Sequence, residues 1–395
     1  MRNGKNQIPI RPKTFATKVV RRLGRLFDTK CCAMPPEKWV NLGVIGLGGA
    51  ANWKLGEIVT CPKASLLSVC DVRPEAVDSV RKRYQVPHSC TDYRELLALD
   101  ELDAVVISTP NALHCPISLA AFEAGKHVLC EKPLAIDADQ AQAMCQAAEL
   151  ADRRAMVHFP YRLSAEAQFV RHLIADGQLG RLYHLSITYA QGGWYREDGS
   201  IEQRPEVGGW RTSRAMSGAG VISDLGSHAL DLARFWMGEA ESVSAVLAHQ
   251  GRVEDSDAID DGASYTIAYR SGALGTFVNS RCFTGRRQHF VAELYGSRGS
   301  LSFRPGRIDW YDRQIGRWFE VDVPPRFARS AIAEFCDSVL QSKNPVPSFE
   351  DGLRVQELLD AIVRASETKR EVCLDCTDSI GSTATGNDEP QVILK

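Results

Sequence analysis

Two short clusters in this 395-residue chain have residue types and spacings suited to moving a proton. The first is Glu131-Lys132-Pro133, placed directly after the apolar run His127 to Cys130. A lysine at the carboxyl end of a buried strand can hydrogen-bond a substrate hydroxyl, and partial desolvation lowers its pKa so that it can relay a proton. The second is the run from Asp224 to Asp231, with His228 between them. On a helix, spacings of i, i+4 and i+7 put Asp224, His228 and Asp231 on one face. Two carboxylates there would fix the tautomer of the imidazole and tune its pKa for acid/base work. A surface loop and a solvated helix face would use the same residues, so the elements that position them decide between the readings.

Those elements begin upstream. Val44 to Ala51 is an apolar run ending in G-x-G-x-x-A, with Asp71 about twenty residues on. In a nucleotide-binding βαβ unit, Gly46 allows the tight turn and Gly48 lets backbone approach a pyrophosphate. Ala51 keeps the next helix close to the strand, and Gly49 and Ala50 begin that helix, whose free N–H groups face the phosphates. Ala64 to Asp71 reads as the second strand. Its terminal Asp71 suits the ribose hydroxyls of NAD and repels a 2′-phosphate, whereas Arg73 could pair with that phosphate, which keeps NADP as the alternative cofactor. Helices follow at Pro74 to Tyr84 and Tyr93 to Leu99, and a doubly buried strand at Leu102 to Thr109. His114 to Gly125 and Asp137 to Ala151 read as helices flanking the strand at His127, and Met156 to Phe159 closes the alternating pattern.

Beyond it the pattern becomes antiparallel. One helix is expected over Gly220 to Met237, with strands at Ser242 to His249, Ala263 to Arg270, Ala273 to Arg281, His289 to Tyr295, Ser300 to Phe303 and Arg317 to Val321. Late helices are expected at Ala328 to Gln341 and Glu350 to Glu367. The fold class is therefore α/β: an N-terminal Rossmann domain plus a C-terminal α+β domain with an open, mainly antiparallel sheet. The boundaries read as a basic extension over 1–38, a dinucleotide-binding domain over 39–160, a substrate-binding and oligomerisation domain over 161–374, and a tail over 375–395. The loop from Gln191 to Arg214 carries Trp194, Tyr195, Trp210 and Arg211, whose aromatic faces and forked donors suit a polyhydroxylated or acidic ligand.

Composition narrows the classes. A net charge of -2 argues against nucleic acid as a partner, and no apolar stretch approaches the ~20 residues that span a bilayer. The twelve cysteines mostly stand singly inside apolar runs, and Cys373 and Cys376 form one C-x-x-C without a second pair, so no metal is expected and a reducing, cytoplasmic setting is. An uncovered sheet face would bring a second copy of the chain, as a homodimer or homotetramer.

Taken together, the G-x-G-x-x-A turn, Ser108-Thr109-Pro110-Asn111 with His114, Glu131-Lys132-Pro133, Tyr161-Arg162, and Gly220 through Asp231 in the form G-x-x-x-D-x-G-x-H-x-x-D resemble the glucose-fructose oxidoreductase, inositol dehydrogenase and MocA family. The resemblance spans about Val40 to Leu374. It implies nicotinamide-dependent oxidation or reduction of a sugar, polyol or related compound. The family's functional lysine falls on Lys132 and its paired Asp and His on Asp224 and His228. Thr109, Pro110, Asn111, His114, Glu131 and Lys132 are then expected at the cofactor, and Tyr161, Arg162, Trp210 and Arg211 beside the substrate. Pro160 and Ala219 depart from the usual pattern on the substrate side. The same motifs serve NAD-dependent glycosidases, and a non-catalytic NAD-binding protein is the other alternative.

Overall fold

The structure, a computed structural model, describes residues 38–194, 209–250 and 259–374. The basic extension, the C-terminal tail and Tyr195 fall outside those residues.

Six strands, β1 (Val40–Ile45), β2 (Ala64–Cys70), β3 (His88–Cys90), β4 (Ala104–Ile107), β5 (His127–Glu131) and β6 (Ala155–His158), form a parallel sheet in the order β3-β2-β1-β4-β5-β6. This order reverses direction between β1 and β4, and ligands bind at the carboxyl ends of strands beside such a switch point. All four residues of β4 are buried, as expected of a strand with helices on both faces. The helices Gly49–Thr60, Pro74–Tyr84, His114–Glu123 and Ala138–Leu150 make the crossovers. Asp137 caps the last of these by accepting the Gln140 N–H at 2.8 Å.

The second sheet has nine strands: β7 (Leu182–Ala190), β8 (Ala240–Ala248), β9 (Gly262–Tyr269), β10 (Leu274–Ser280), β11 (His289–Gly296), β12 (Gly299–Arg304), β13 (Arg307–Asp312), β14 (Arg317–Val321) and β15 (Val372–Cys373). Their order is β14-β13-β12-β11-β7-β10-β9-β8-β15, and only the β7–β10 pairing is parallel. Sequence reading missed β7, although Leu185, Ile187 and Tyr189 alternate inward along it and it holds the centre of the sheet. It also missed β13 and the helix Ala165–Ala175, whose Ser164 N-cap accepts from Ala167 N. β3 and β15 are three and two residues long, too short to show a period.

The late helices return to the first domain. Ala331–Leu340 sends Ile332, Phe335 and Cys336 into the cluster built by Leu42, Leu55 and Ile58. Phe349–Thr368 opens with a capping box at Ser348 and Asp351 and packs against both Ala138–Leu150 and β8. The core under the dinucleotide-binding sheet is thus completed by residues almost three hundred positions later in the chain. Helices cover one face of the nine-stranded sheet. Its other face, bearing Ser186, Thr188, Thr266, Thr276 and Val278, is covered by no helix among the described residues, with Val246 68% exposed near its edge.

Candidate active site

At the carboxyl ends of β1, β2, β4 and β5, where the two sheets meet, lies a cavity of about 800 Å³. Its floor is the glycine turn. Gly46 has φ +89°, and a Cβ there would lie 2.5 Å from the Ser108 carbonyl oxygen, so only glycine lets β1 and β4 stay adjacent while the chain turns. A Cβ added at Gly48 or Gly49 would meet nothing within 4 Å, which leaves room for a ligand against the backbone. The helix Gly49–Thr60 starts there with no side-chain cap and no acidic first turn, so its terminal N–H groups remain available to an anion. These features fit a dinucleotide pyrophosphate. Asp71 sits at the next strand end. It accepts Leu47 N at 2.7 Å on one oxygen and Arg73 N and Nε, each at 3.0 Å, on the other. Burial alone would raise its pKa, but Arg73 and the Leu47 N–H outweigh that and hold it below the usual carboxylate range.

Thr109, Pro110, Asn111, Glu131 and Lys132 all line this cavity. His114 does not. It is fully buried, with Nδ1 2.9 Å from the Pro133 carbonyl and Nε2 3.1 Å from the Thr109 carbonyl, and so ties the two loops together from behind. The expectation of a cofactor contact at His114 is corrected to a positioning role.

Glu131 is anchored by a residue that sequence reading left unassigned. Lys54, 2% exposed on the first helix, pairs with Glu131 Oε1, which is also 3.0 Å from His158 Nδ1. Glu131 Oε2 accepts the Lys132 N–H at 3.1 Å. Burial would push Glu131 up, yet the charges of Lys54 and His158 hold it well below its ordinary value. The only signal in the sequence was a lysine at an otherwise apolar helix position.

Lys132 reaches from the first domain to the second. Its Nζ donates to the Asp224 carbonyl at 2.8 Å and to the Asp224 carboxylate at 3.1 Å. Arg281, just past β10, donates to the other Asp224 oxygen at 3.3 Å. The three cations Lys132, Arg281 and Arg211 overcome the effect of burial and hold Asp224 below the carboxylate range. The segment Ile222–Gly226 is a π-turn leading into the α-helix Ser227–Met237. Such a turn shifts the helical register, and the Asp224 carbonyl within it accepts from Lys132 and from the Ser227 hydroxyl. Asp260 fixes its start, accepting Gly220 N at 2.7 Å and Ile222 N at 2.8 Å.

The structure does not bring both carboxylates to the imidazole. Asp231 does not flank His228; it is 1% exposed and forms a two-pronged ion pair with Arg162, which also reaches Asp351 at 3.0 Å. Arg162 is 3% exposed and does not line the cavity, so it braces the helix rather than touching substrate. His228 lies just beyond the cavity wall, edge-on to Tyr161 with ring centroids 4.9 Å apart. Burial, aided by the Lys132 charge, holds its imidazole well below the ordinary histidine value, so the ring is neutral at pH 7. Its Nδ1 is sealed and has no partner among the described residues. Tyr161 itself belongs to a polar cluster beside His228, with its hydroxyl 3.2 Å from that of Tyr189 and 2.6 Å from Gln288 Nε2. Trp210 and Arg211 line the cavity.

A Rossmann half whose cofactor cradle carries its own Lys132 and opens onto Asp224 of a second, open-sheet domain, with the neutral His228 just behind the wall, defines a two-domain nucleotide-dependent oxidoreductase. Residues 40–159 match the family described as "Oxidoreductase family, NAD-binding Rossmann fold", and residues 167–302 match the "GFO/IDH/MocA C-terminal domain". The chain belongs to this family. Among its relatives are levoglucosan dehydrogenase of Pseudarthrobacter phenanthrenivorans, 27% identical over 75% of this chain and 86% of that protein, and inositol 2-dehydrogenase of Rhizobium meliloti, 29% identical over 85% and 99%. A levoglucosan dehydrogenase solved in complex with NADH superposes with a TM-score of 0.77 at 26% identity, covering 85% of this chain and 99% of that one.

Proposed function

We propose that this protein transfers a hydride between NAD and a secondary carbinol, or the corresponding ketone, of a sugar, polyol or sugar-derived substrate. The observation that carries the reading is Lys132 spanning from the end of β5 to Asp224, which sets an ammonium in the dinucleotide cavity with the neutral His228 just behind its wall. The nicotinamide, when bound, supplies the hydride acceptor or donor. Lys132 hydrogen-bonds the substrate oxygen, and Asp224 with Arg281 fixes the direction of its Nζ. As hydride leaves carbon the hydroxyl becomes a strong acid, so the weakly basic His228 suffices to take its proton. Asp224 acts through Lys132 and not by orienting the imidazole. The domain boundaries given above, a cytoplasmic location and a homodimer or homotetramer formed through the uncovered sheet face are part of the same reading. Sedimentation should give a mass above that of one chain at micromolar concentration, and a stable monomer would contradict it.

The test is a panel of sugars, inositols and sugar acids followed at the nicotinamide absorbance with NAD and NADP in parallel. NAD should bind more tightly, because Asp71 stays ionised beside the ribose site. Arg73, half-exposed and paired with Asp71, is free to swing to a 2′-phosphate, so Arg73→Ala should weaken NADP binding more than NAD binding. Tighter NADP binding in the unaltered protein would overturn the preference. Turnover of a glycoside without added NAD, and with no sugar oxidised, would favour the glycosidase alternative.

A further inference from the structure

Glu131 lines the cofactor cavity beside Lys132, and its two oxygens have different duties. The β5–β6 register sets Glu131 opposite His158, so the two side chains leave the carboxyl end of the sheet on one face. Glu131 Oε1 lies 3.0 Å from His158 Nδ1 and also receives the ammonium of Lys54, while Oε2 accepts the Lys132 N–H at 3.1 Å. Because Glu131 stays ionised it can only accept, so the His158 hydrogen sits on Nδ1 and is donated. Charge balance does not call for this contact, since Lys54 already compensates the carboxylate. Ligand contact does not call for it either, since His158 does not line the cavity. What the imidazole adds is direction. A carboxylate held at one oxygen by a long lysine alone still turns about its last bond, whereas a second donor from a rigid strand end fixes its plane and so the aim of Oε2.

We infer that His158 is a positioning residue for the hydride transfer: through Glu131 it fixes the main chain at Lys132, so that Nζ meets the substrate oxygen in one geometry. This inference rests on the hydride-transfer reading above and adds to it a hold on the main-chain end of Lys132. Asp224 holds the other end, accepting from Nζ at 2.8 Å with its carbonyl and at 3.1 Å with its carboxylate. A long side chain whose root is loose samples more rotamers, and each wrong one takes Nζ away from the reacting oxygen.

The experiment compares the full chain with His158→Asn, His158→Leu and His158→Ala. The amide nitrogen of asparagine stands in for the Nδ1 donor, whereas leucine and alanine supply none. Turnover is followed at the nicotinamide absorbance with saturating NAD and the best substrate of the panel. His158→Leu should lower kcat by roughly 10-fold while KM and the Kd for NAD barely move, because geometry is lost and no ligand contact is. His158→Ala should behave alike, and His158→Asn should recover most of the loss. A second readout needs no substrate. Acetic anhydride acylates a lysine according to its freedom, and mass spectrometry gives the rate at Lys132 relative to Lys126. Lys126 lies before the opposite end of β5, with Nζ held at 2.9 Å by the Leu99 and Leu102 carbonyls. The Lys132 to Lys126 ratio should rise several-fold in His158→Leu and stay near the unaltered value in His158→Asn. A general loosening of the fold would raise both rates and leave the ratio. Unchanged kcat in His158→Leu, asparagine no better than leucine, or a labelling ratio that none of the variants moves would each overturn the inference. Absence of turnover with every sugar would strike the hydride-transfer reading instead, while the labelling ratio still judges His158.

Discussion

Lys132→Ala should lower kcat by roughly 10²-fold or more on the best substrate, with little change in the dissociation constant for NAD, and His228→Ala should do the same. In the proposed mechanism both residues serve one oxygen in the transition state. Removing the ammonium leaves the hydroxyl unpositioned, and removing the imidazole leaves its proton without a destination. Because they act as a unit, the double variant should lose less than the product of the single losses. Asp224→Asn should keep the fold and also depress kcat, since a neutral amide leaves Lys132 and Arg281 as an uncompensated pair of cations that no longer hold the Lys132 Nζ in place. The pH profile carries a further signature. His228 has a folded-state pKa depressed well below 6.5, so the neutral form persists and turnover should not fall as pH drops through 6.5. Its contribution is lost only when pH falls through that lower folded value. Turnover within a few-fold of the unaltered enzyme in His228→Ala would make the imidazole structural and leave Lys132 to be tested as the base alone.

Lys54→Met should destabilise the chain by about 3–5 kcal/mol, the usual cost of breaking a buried ion pair from one side. Lys54 is sealed at 2% exposure, and Glu131 would be left charged and buried with only His158 and one backbone N–H. Adding Glu131→Gln should recover most of the loss, because the buried charge then disappears with its partner. The folded pKa of Glu131 is depressed below 4.5, so this part of the stability is present above pH 4.5 and is lost as pH falls through the folded value. The gap between Lys54→Met and the unaltered protein should therefore narrow in acid. Denaturant titrations at neutral and acidic pH measure both effects; equal midpoints for the two proteins at neutral pH would remove Lys54 from the account.

The Rossmann half was legible because each device in it is local: a glycine turn, an acidic strand end, and apolar runs of fixed period. Lys132 could be found from its place after β5. His228 could be found as a residue type within an apolar helix, but its neighbours could not. Spacing alone put Asp231 beside it, whereas Asp231 pairs with Arg162, 69 residues away in the chain, and a π-turn at Ile222–Gly226, which no helical period announces, carries the Asp224 whose carbonyl accepts from Lys132. Arg281, Lys54 and Asp260 went unassigned for a related reason. Each works across a sequence separation of 40 to 77 residues, where only the tertiary fold decides who meets whom. The central strand β7 was the avoidable omission, since its inward alternation at Leu185, Ile187 and Tyr189 is plain.

The most direct measurement of the central claim follows one atom. A substrate found in the panel is prepared with deuterium on the carbon bearing the reacting hydroxyl, incubated with the full chain and excess NAD, and the reduced cofactor is analysed by mass spectrometry. Direct hydride transfer, with Lys132 and His228 handling only the hydroxyl proton, predicts one deuterium in each reduced nicotinamide and a slower turnover than with the unlabelled sugar. Reduced cofactor carrying no deuterium, or product formed with no reduced cofactor released, would contradict it.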